Sequence, residues 1–335
     1  MNFTQIRGHQ KVLKLLTRIR ETEKFASAYI FSGPEGVGKR LTAIAFAKSL
    51  LCMAKNKDSC ETCPACIQVE RGNHPDLILV KPEKGVITVD SIRNLKRTLS
   101  WKSFAGGKKI CIVDEADQMN IHAANAFLKT LEEPAPETII ILITSKPYRL
   151  LPTIISRCQQ IKFQPLPFPD TAELIRLKKK EVERNDALLM ASLTEGSPGK
   201  ALSLEVEYIK ELRDEWIEKV KFLINKEPIE FWGEDEISPK DKKELELKLD
   251  LLILWFRDLL RYKIYKNIEP IFNKDKAEEV SLQEAMFRLE DLINILFIIE
   301  NYKATLDYNI NPQLTLEALI ATLKSRDKNL YSYQF

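Results

Sequence analysis

The sequence predicts an α/β protein: a parallel sheet with helices on both faces, followed by an all-helical second half. Three observations carry this. Strand-length apolar runs alternate with helical patterns up to about residue 165. Those runs are apolar throughout rather than alternating, as strands buried on both faces must be. Beyond residue 170 no run reads as a strand, and longer amphipathic patterns take over.

Each element has its own signal. "SAYIFSG" (27–33) reads as a buried strand feeding a turn, and "KRLTAIAFAKSLLC" (39–52) as the helix that follows. "PDLILVKP" (75–82), "KKICIVDEAD" (108–117) and "ETIIILITS" (137–145) read as three further strands. Helices fill 88–100 and 120–132, the second stopped by Pro134 and Pro136. Pro165, Pro167 and Pro169 mark a domain boundary. Short helices broken by "GSPG" (196–199) occupy 170–205, and longer ones 208–225, 240–266, 279–306 and 312–325, with 226–239 as a connector. Leu245, Leu249, Leu252 and Leu259 share one helical face, as do Leu289, Leu292, Leu296 and Ile299. Such stripes read first as core.

Composition narrows the class. The longest apolar run, Leu251 to Phe256, is far short of the roughly 20 residues of a membrane span. "MNFTQIRGHQ" has no apolar core of signal-peptide length. Six cysteines in such a chain point to a reducing, cytoplasmic setting, and to thiols or metal rather than disulfides. A net charge of +3 neither demands nor excludes nucleic acid.

"FSGPEGVGKRLTA" (31–43) carries a phosphate-loop pattern with one departure. Gly33, Gly38 and Lys39 stand where G-x-x-x-x-G-K-[ST] requires them, with Gly36 between, and the Ser/Thr place is held by Arg40. Glycines let backbone N–H groups surround phosphates, the helix N-terminus adds its dipole, and Lys39 reaches the outer phosphates. At the end of an apolar strand, "ICIVDEAD" supplies Asp114 to support magnesium and Glu115 to activate water. Arg40 disturbs this chemistry. A guanidinium has no lone pair to offer magnesium and repels the ion. Weak or absent hydrolysis is expected, and nucleotide binding is left open.

Four cysteines, Cys52, Cys60, Cys63 and Cys66, follow the spacing C-x7-C-x2-C-x2-C. Two-residue gaps turn successive thiolates toward one ion, and four sulfurs suit a structural tetrahedral zinc. An iron–sulfur cluster is the alternative, since it also takes four thiolates. His74 reads as a loop residue, and Cys111 as a small core residue.

With these residues in place, the chain resembles the clamp-loader branch of the AAA+ ATPases, as found in the bacterial DNA polymerase III clamp loader. The resemblance covers nearly the whole chain. "IRGHQKVLKLL" (6–16) looks like the segment beside the adenine, and the cysteine module after the first helix looks like the family's zinc module. "NAFLKTLEEPAPETIIILITS" (125–145) and "LLPTIISRC" (150–158) are its most characteristic stretches. "EGSPGKALSL" (195–204) resembles the sensor 2 region, and "NPQLTLEALI" (311–320) the final collar helix.

The resemblance implies an AAA+ core over 1–165 with a zinc module at 52–66, a helical lid over 166–205 and a helical collar over 206–335. Carried over by position, Arg157 is the arginine finger, offered to ATP on a neighbouring subunit, and Cys158 is its packed neighbour. Ser145 falls at sensor 1, usually Asn or Thr, and Gly199 falls where a hydrolysing relative has its sensor 2 Arg. The departures resemble the stationary subunit of the ring rather than the gamma/tau motor. Implied partners are gamma/tau and delta subunits, the sliding clamp and, through the complex, primer–template DNA. The alternative implied is an active motor subunit with a degenerate phosphate loop, kept open by Asp114 and Glu115.

Overall fold

A computed structural model of the chain describes residues 2–54, 58–104, 106–225, 242–269, 271–306 and 311–325. It divides into two compact units. One comprises Met1–Leu174 with Gly196–Lys200, the other Ile175–Glu195 with Ala201–Phe335.

The first unit is a five-stranded parallel sheet in the order β2-β3-β4-β1-β5. The chain runs α1 (Gln10–Thr22), β1 (Ala28–Ser32), α2 (Lys39–Leu51), α3 (Pro64–Glu70), β2 (Leu77–Val80), α4 (Val89–Ser100), β3 (Lys109–Val113) and α5 (Ile121–Glu132). It continues through β4 (Thr138–Thr144), α6 (Pro152–Ile155) and β5 (Gln159–Lys162) into α7 (Phe168–Lys178). Every residue of β1, β3 and β4 is buried. This is why these strands read as continuous apolar runs: the pleat sends alternate side chains into two separate cores. Tyr29, Phe31, Ile110, Ile112, Ile139 and Ile141 pack with Leu16 and Phe46 on one face. Ile30, Cys111, Val113, Ile140 and Leu142 pack with Ile92, Leu95 and Phe127 on the other.

Local chemistry ends the helices where the sequence signals it. Thr88 Oγ1 accepts the Ser91 N–H at the start of α4, and Asn120 Oδ1 accepts the Ala123 N–H at the start of α5. The fifth strand has no counterpart among the predicted elements. In β5 only Ile161 is buried, while Gln159, Gln160 and Lys162 are exposed. An edge strand paired on one side has no need of a continuous apolar sequence.

The second unit is helical among its described residues. It comprises the end of α7, α8 (Arg184–Leu193), α10 (Val206–Asn225), α11 (Lys242–Tyr265), α12 (Ala277–Glu284), α13 (Leu289–Thr305) and α14 (Pro312–Ser325). The short α9 (Pro198–Leu202) straddles the division. The α11 helix packs along α10, α12 and α13, and Leu245, Leu249, Leu252 and Leu259 are all buried in it. Of the second predicted stripe, Leu292 and Ile299 are buried, Leu296 is half-buried and Leu289 is exposed. The single helix predicted over 279–306 is two, α12 and α13. Arg288 is extended at the break (φ −80°, ψ 159°), and its N–H donates to the Asp291 carboxylate at 3.2 Å, an N-terminal cap. The connector predicted at 226–239 lies outside the described residues.

Candidate functional site

The turn between β1 and α2 is pinned from within. Each carbonyl from Gly33 to Gly38 accepts a hydrogen bond from the protein. Lys39 Nζ donates to Gly33 O and Pro34 O, both at 2.6 Å. Ser197 Oγ donates to Glu35 O at 2.6 Å, and Gly199 N to Gly36 O at 2.9 Å. His9 Nε2 donates to Val37 O at 2.7 Å, and Thr42 N to Gly38 O at 3.0 Å. A phosphate loop grips anions with N–H groups and its lysine. Here that lysine is committed to carbonyls, and a phosphate must displace two short bonds to reach it.

Gly36 is needed for a close approach of the chain to itself. At φ +76° it lies in the left-handed region, and a Cβ there would sit 2.4 Å from Ser197 Oγ and 2.8 Å from Lys200 N. Gly36→Ala is therefore expected to destabilise the protein by about 1–3 kcal/mol. Gly38→Ala meets nothing within 4 Å, and its cost is confined to backbone strain at φ +103°. Denaturant unfolding of the two variants measures the difference.

The acidic strand end faces this loop. Asp114 follows β3 and is nearly buried, and Arg40 Nε lies 3.5 Å from its Oδ2. The guanidinium thus stands beside the carboxylate that a magnesium ion would need. Glu115 sits at φ +49°, and burial together with Asp114, Asp117 and Glu35 raises its carboxyl above the usual range. Burial lowers the Lys39 ammonium to about 8, against the opposing pull of Glu35, Asp117 and Asp114. Ser145 follows β4, and the adjacent Thr144 Oγ1 donates to Asp117 Oδ1 at 2.6 Å.

These groups line one cavity of about 490 Å³. It brings together Gly36, Gly38, Lys39, Arg40, Asp114, Glu115 and Ser145, with Gly199 at its wall. Gly33 is outside the lining; its carbonyl receives Lys39, and its N–H donates to Thr144 O at 3.3 Å. Glu35, Asp117, Thr144 and Lys146 also line the cavity and were not singled out in the sequence. Asp117 had a signal, the third acid of "DEAD"; Thr144 had none beyond its place at a strand end.

Arg157 lies elsewhere, beyond the end of α6. Its Nη2 pairs with Glu132 at 2.7 Å and its Nη1 donates to Thr153 O at 3.0 Å, with the side chain about a third exposed. Cys158 packs against the α5 face of the sheet, and burial pushes its thiol up to about 12, which suits a packed neighbour and not a nucleophile.

The four spaced cysteines converge. Their sulfurs all lie within 4.8 Å of one another, with Cys52–Cys63 and Cys60–Cys66 each at 4.0 Å, and all four are free thiols. Tetrahedral zinc with bonds of about 2.3 Å sets its sulfurs roughly 3.8 Å apart. The cluster therefore fits a single tetrahedral ion, whereas a multi-iron cluster needs its outer sulfurs spread wider. Backbone N–H groups of Cys60, Cys63 and Cys66 point at the sulfurs of Cys52, Cys60 and Cys63, at 3.4, 3.3 and 3.5 Å. That pattern stabilises thiolates. His74 is no ligand: it is buried and its Nδ1 accepts the Asp76 N–H at 3.1 Å. No helix among the described residues is long and apolar enough to cross a membrane.

A parallel β2-β3-β4-β1-β5 sheet, with a glycine-rich turn facing an acidic strand end and four converging cysteines beyond α2, defines an AAA+-type α/β protein. The family model described as DNA polymerase III, delta subunit matches residues 8–167. The chain is 35% identical to DNA polymerase III subunit delta' of Bacillus subtilis over 318 residues, covering 94% of this chain and 95% of that protein. It is 33% identical to the Pseudomonas aeruginosa subunit of the same name, covering 88% and 90%. To Bacillus subtilis subunit tau it is 30% identical, covering 87% of this chain and 57% of that protein. The chain belongs to the family of bacterial DNA polymerase III delta-prime subunits.

Proposed function

We propose that the chain serves in the cytoplasm as the stationary subunit of a DNA polymerase III clamp loader. In this reading it joins gamma/tau and delta subunits in a ring, helps place the sliding clamp on primed DNA, and turns over no ATP itself. One observation carries the reading: the groups that would handle magnesium triphosphate are engaged with each other. Arg40 holds Asp114, and Lys39 holds its own loop. Arg157 is the arginine offered to a neighbour's ATP. Its exposed pair with Glu132 is worth only about 0.2–1 kcal/mol, so exchanging the carboxylate for a phosphate costs little. Cys52, Cys60, Cys63 and Cys66 hold a structural zinc, supported by the compactness of the four sulfurs.

A second reading has its own support. Asp114 and Glu115 face the cavity, and subunit tau is among the relatives. An active gamma/tau-like motor keeps such a pair to position magnesium and water. Reconstitution with gamma/tau and delta subunits separates the two. A stationary subunit is required for clamp-dependent hydrolysis, and Glu115→Gln within it leaves that hydrolysis unchanged. A motor loses its own share of turnover with the same substitution.

A further inference from the structure

Lys48 lies on α2, the helix that begins with Lys39 and Arg40, and only 1% of its side chain is exposed. Its ammonium has two carboxylate partners, and both come from the cysteine segment: Glu61 Oε2 at 2.8 Å and Glu70 Oε2 at 2.7 Å. Glu61 sits inside the Cys60-x-x-Cys63 turn at φ +63°, where glycine is the least strained residue. A glutamate is kept there by contacts that glycine cannot make, to Lys48 and to Ser59 Oγ at 2.7 Å. Glu70 ends α3, the helix that starts at Pro64 and carries Cys66. Asp58 of the same segment accepts the Phe3 N–H at 2.8 Å, and Phe3 stacks on Phe46 of α2.

The carboxylates that neutralise a buried cation on α2 are thus placed by the turn and the helix that present three of the four sulfurs, those of Cys60, Cys63 and Cys66, while the fourth, Cys52, ends α2 itself. Gathering the sulfurs on a metal fixes that turn; without a metal, mutual repulsion of thiolates opposes it. Released carboxylates would leave the Lys48 ammonium buried and unpaired, a strongly destabilising arrangement. We propose that Lys48, Glu61 and Glu70 form a latch that couples metal occupancy of the cysteine site to the order of α2. The metal then does more than fold its own module: it holds the helix that bears the cavity's Lys39 and Arg40. This inference rests on the reading that the cysteines hold a metal. Lys48 acts as a positioning residue and touches neither nucleotide nor metal.

Glu61→Gly and Lys48→Met in the full chain test it. Glu61→Gly suits the turn's backbone, so it retains the sulfur geometry while removing one arm of the latch. Lys48→Met keeps the apolar stem buried and removes the cation shared by Glu61 and Glu70, which are 30% and 58% exposed. Zinc content by elemental analysis comes first, with one equivalent per chain expected. Amide hydrogen exchange over α2 is then followed before and after zinc is removed under reducing conditions. In the wild type, zinc removal is expected to speed α2 exchange roughly tenfold or more. With zinc bound, Glu61→Gly already exchanges several-fold faster than the wild type, and removal adds less than it does in the wild type, because only the Glu70 arm is left to release. Lys48→Met retains zinc and its α2 exchange responds far less to removal than in the wild type, keeping only the part carried by Cys52 at the end of the helix.

Absence of zinc from the wild type overturns the metal reading and the latch with it. Zinc present, with α2 exchange in Glu61→Gly matching the wild type, overturns the latch alone. A Lys48→Met protein whose α2 still responds to removal as the wild type does overturns it equally. That second arm decides the matter should Glu61→Gly shed its zinc.

Discussion

Replacing Arg157 with alanine is expected to leave ring assembly intact and to cripple hydrolysis at the ATP site it faces. The loss at that site is about 10³-fold, the lower range for an arginine that stabilises a transferring phosphoryl group. The physical basis is the location of the guanidinium. It stands at the surface beyond α6, tied to Glu132 at 2.7 Å and outside this chain's own cavity. Losing an exposed ion pair changes stability by at most about 1 kcal/mol, so the ring should elute from size exclusion as the wild type does. Bulk turnover falls only by this site's share wherever the remaining ATP sites do not depend on Arg157. Single-turnover hydrolysis in the reconstituted loader resolves the affected site. Arg157→Lys should rescue little, because an ammonium cannot reproduce the planar two-pronged contact with phosphate. Unchanged single-turnover kinetics in Arg157→Ala would remove the residue from this role.

Stripping metal from the cysteine cluster is expected to be the most damaging change to stability. Structural zinc contributes about 10–16 kcal/mol to isolated finger-sized folds. Within a larger unit part of the module stays packed, and a loss of several kcal/mol corresponds to roughly 10 °C in melting temperature. Cys66 shows why the sulfurs need a cation. It is buried, and burial with its Cys63 neighbour drives its thiol above the ordinary cysteine range. A bound ion offsets that cost of holding four sulfurs together as thiolates. Calorimetry of protein purified under reducing conditions, before and after chelation, measures the effect. Melting that chelation does not move would remove the structural role of the site.

The central strands were legible because the two cores demand an unbroken apolar sequence. Ile139 to Ile143 serve both faces of the sheet with no place for a polar residue. β5 was not legible because three of its four side chains are exposed. The break between α12 and α13 was hidden for a different reason. Met286 and Phe287 carry an apolar pattern straight through it, with no proline or glycine to announce a stop. In the site, Lys39, Arg40, Asp114 and Glu115 were legible as residue types at fixed places in a strand–turn–helix unit. Their partners were not. That Arg40 turns to Asp114, and that Lys39 turns back to Gly33 and Pro34, depends on geometry the motif does not encode. Ser197 is 162 residues from Glu35, whose carbonyl it holds, a separation at which no local pattern operates. The cysteine cluster was the most legible feature, since two x2 gaps and one x7 gap leave few ways to scatter four thiols.

The claim that the cavity beside Lys39 is catalytically idle has a direct test. ATP hydrolysis by the isolated full-length protein, with magnesium present and no other subunit, is measured for the wild type and for Glu115→Gln. The Arg40–Asp114 pair and the loop-bound Lys39 predict background turnover in both, with no difference between them. Robust hydrolysis that Glu115→Gln abolishes would contradict the account and make this chain a motor.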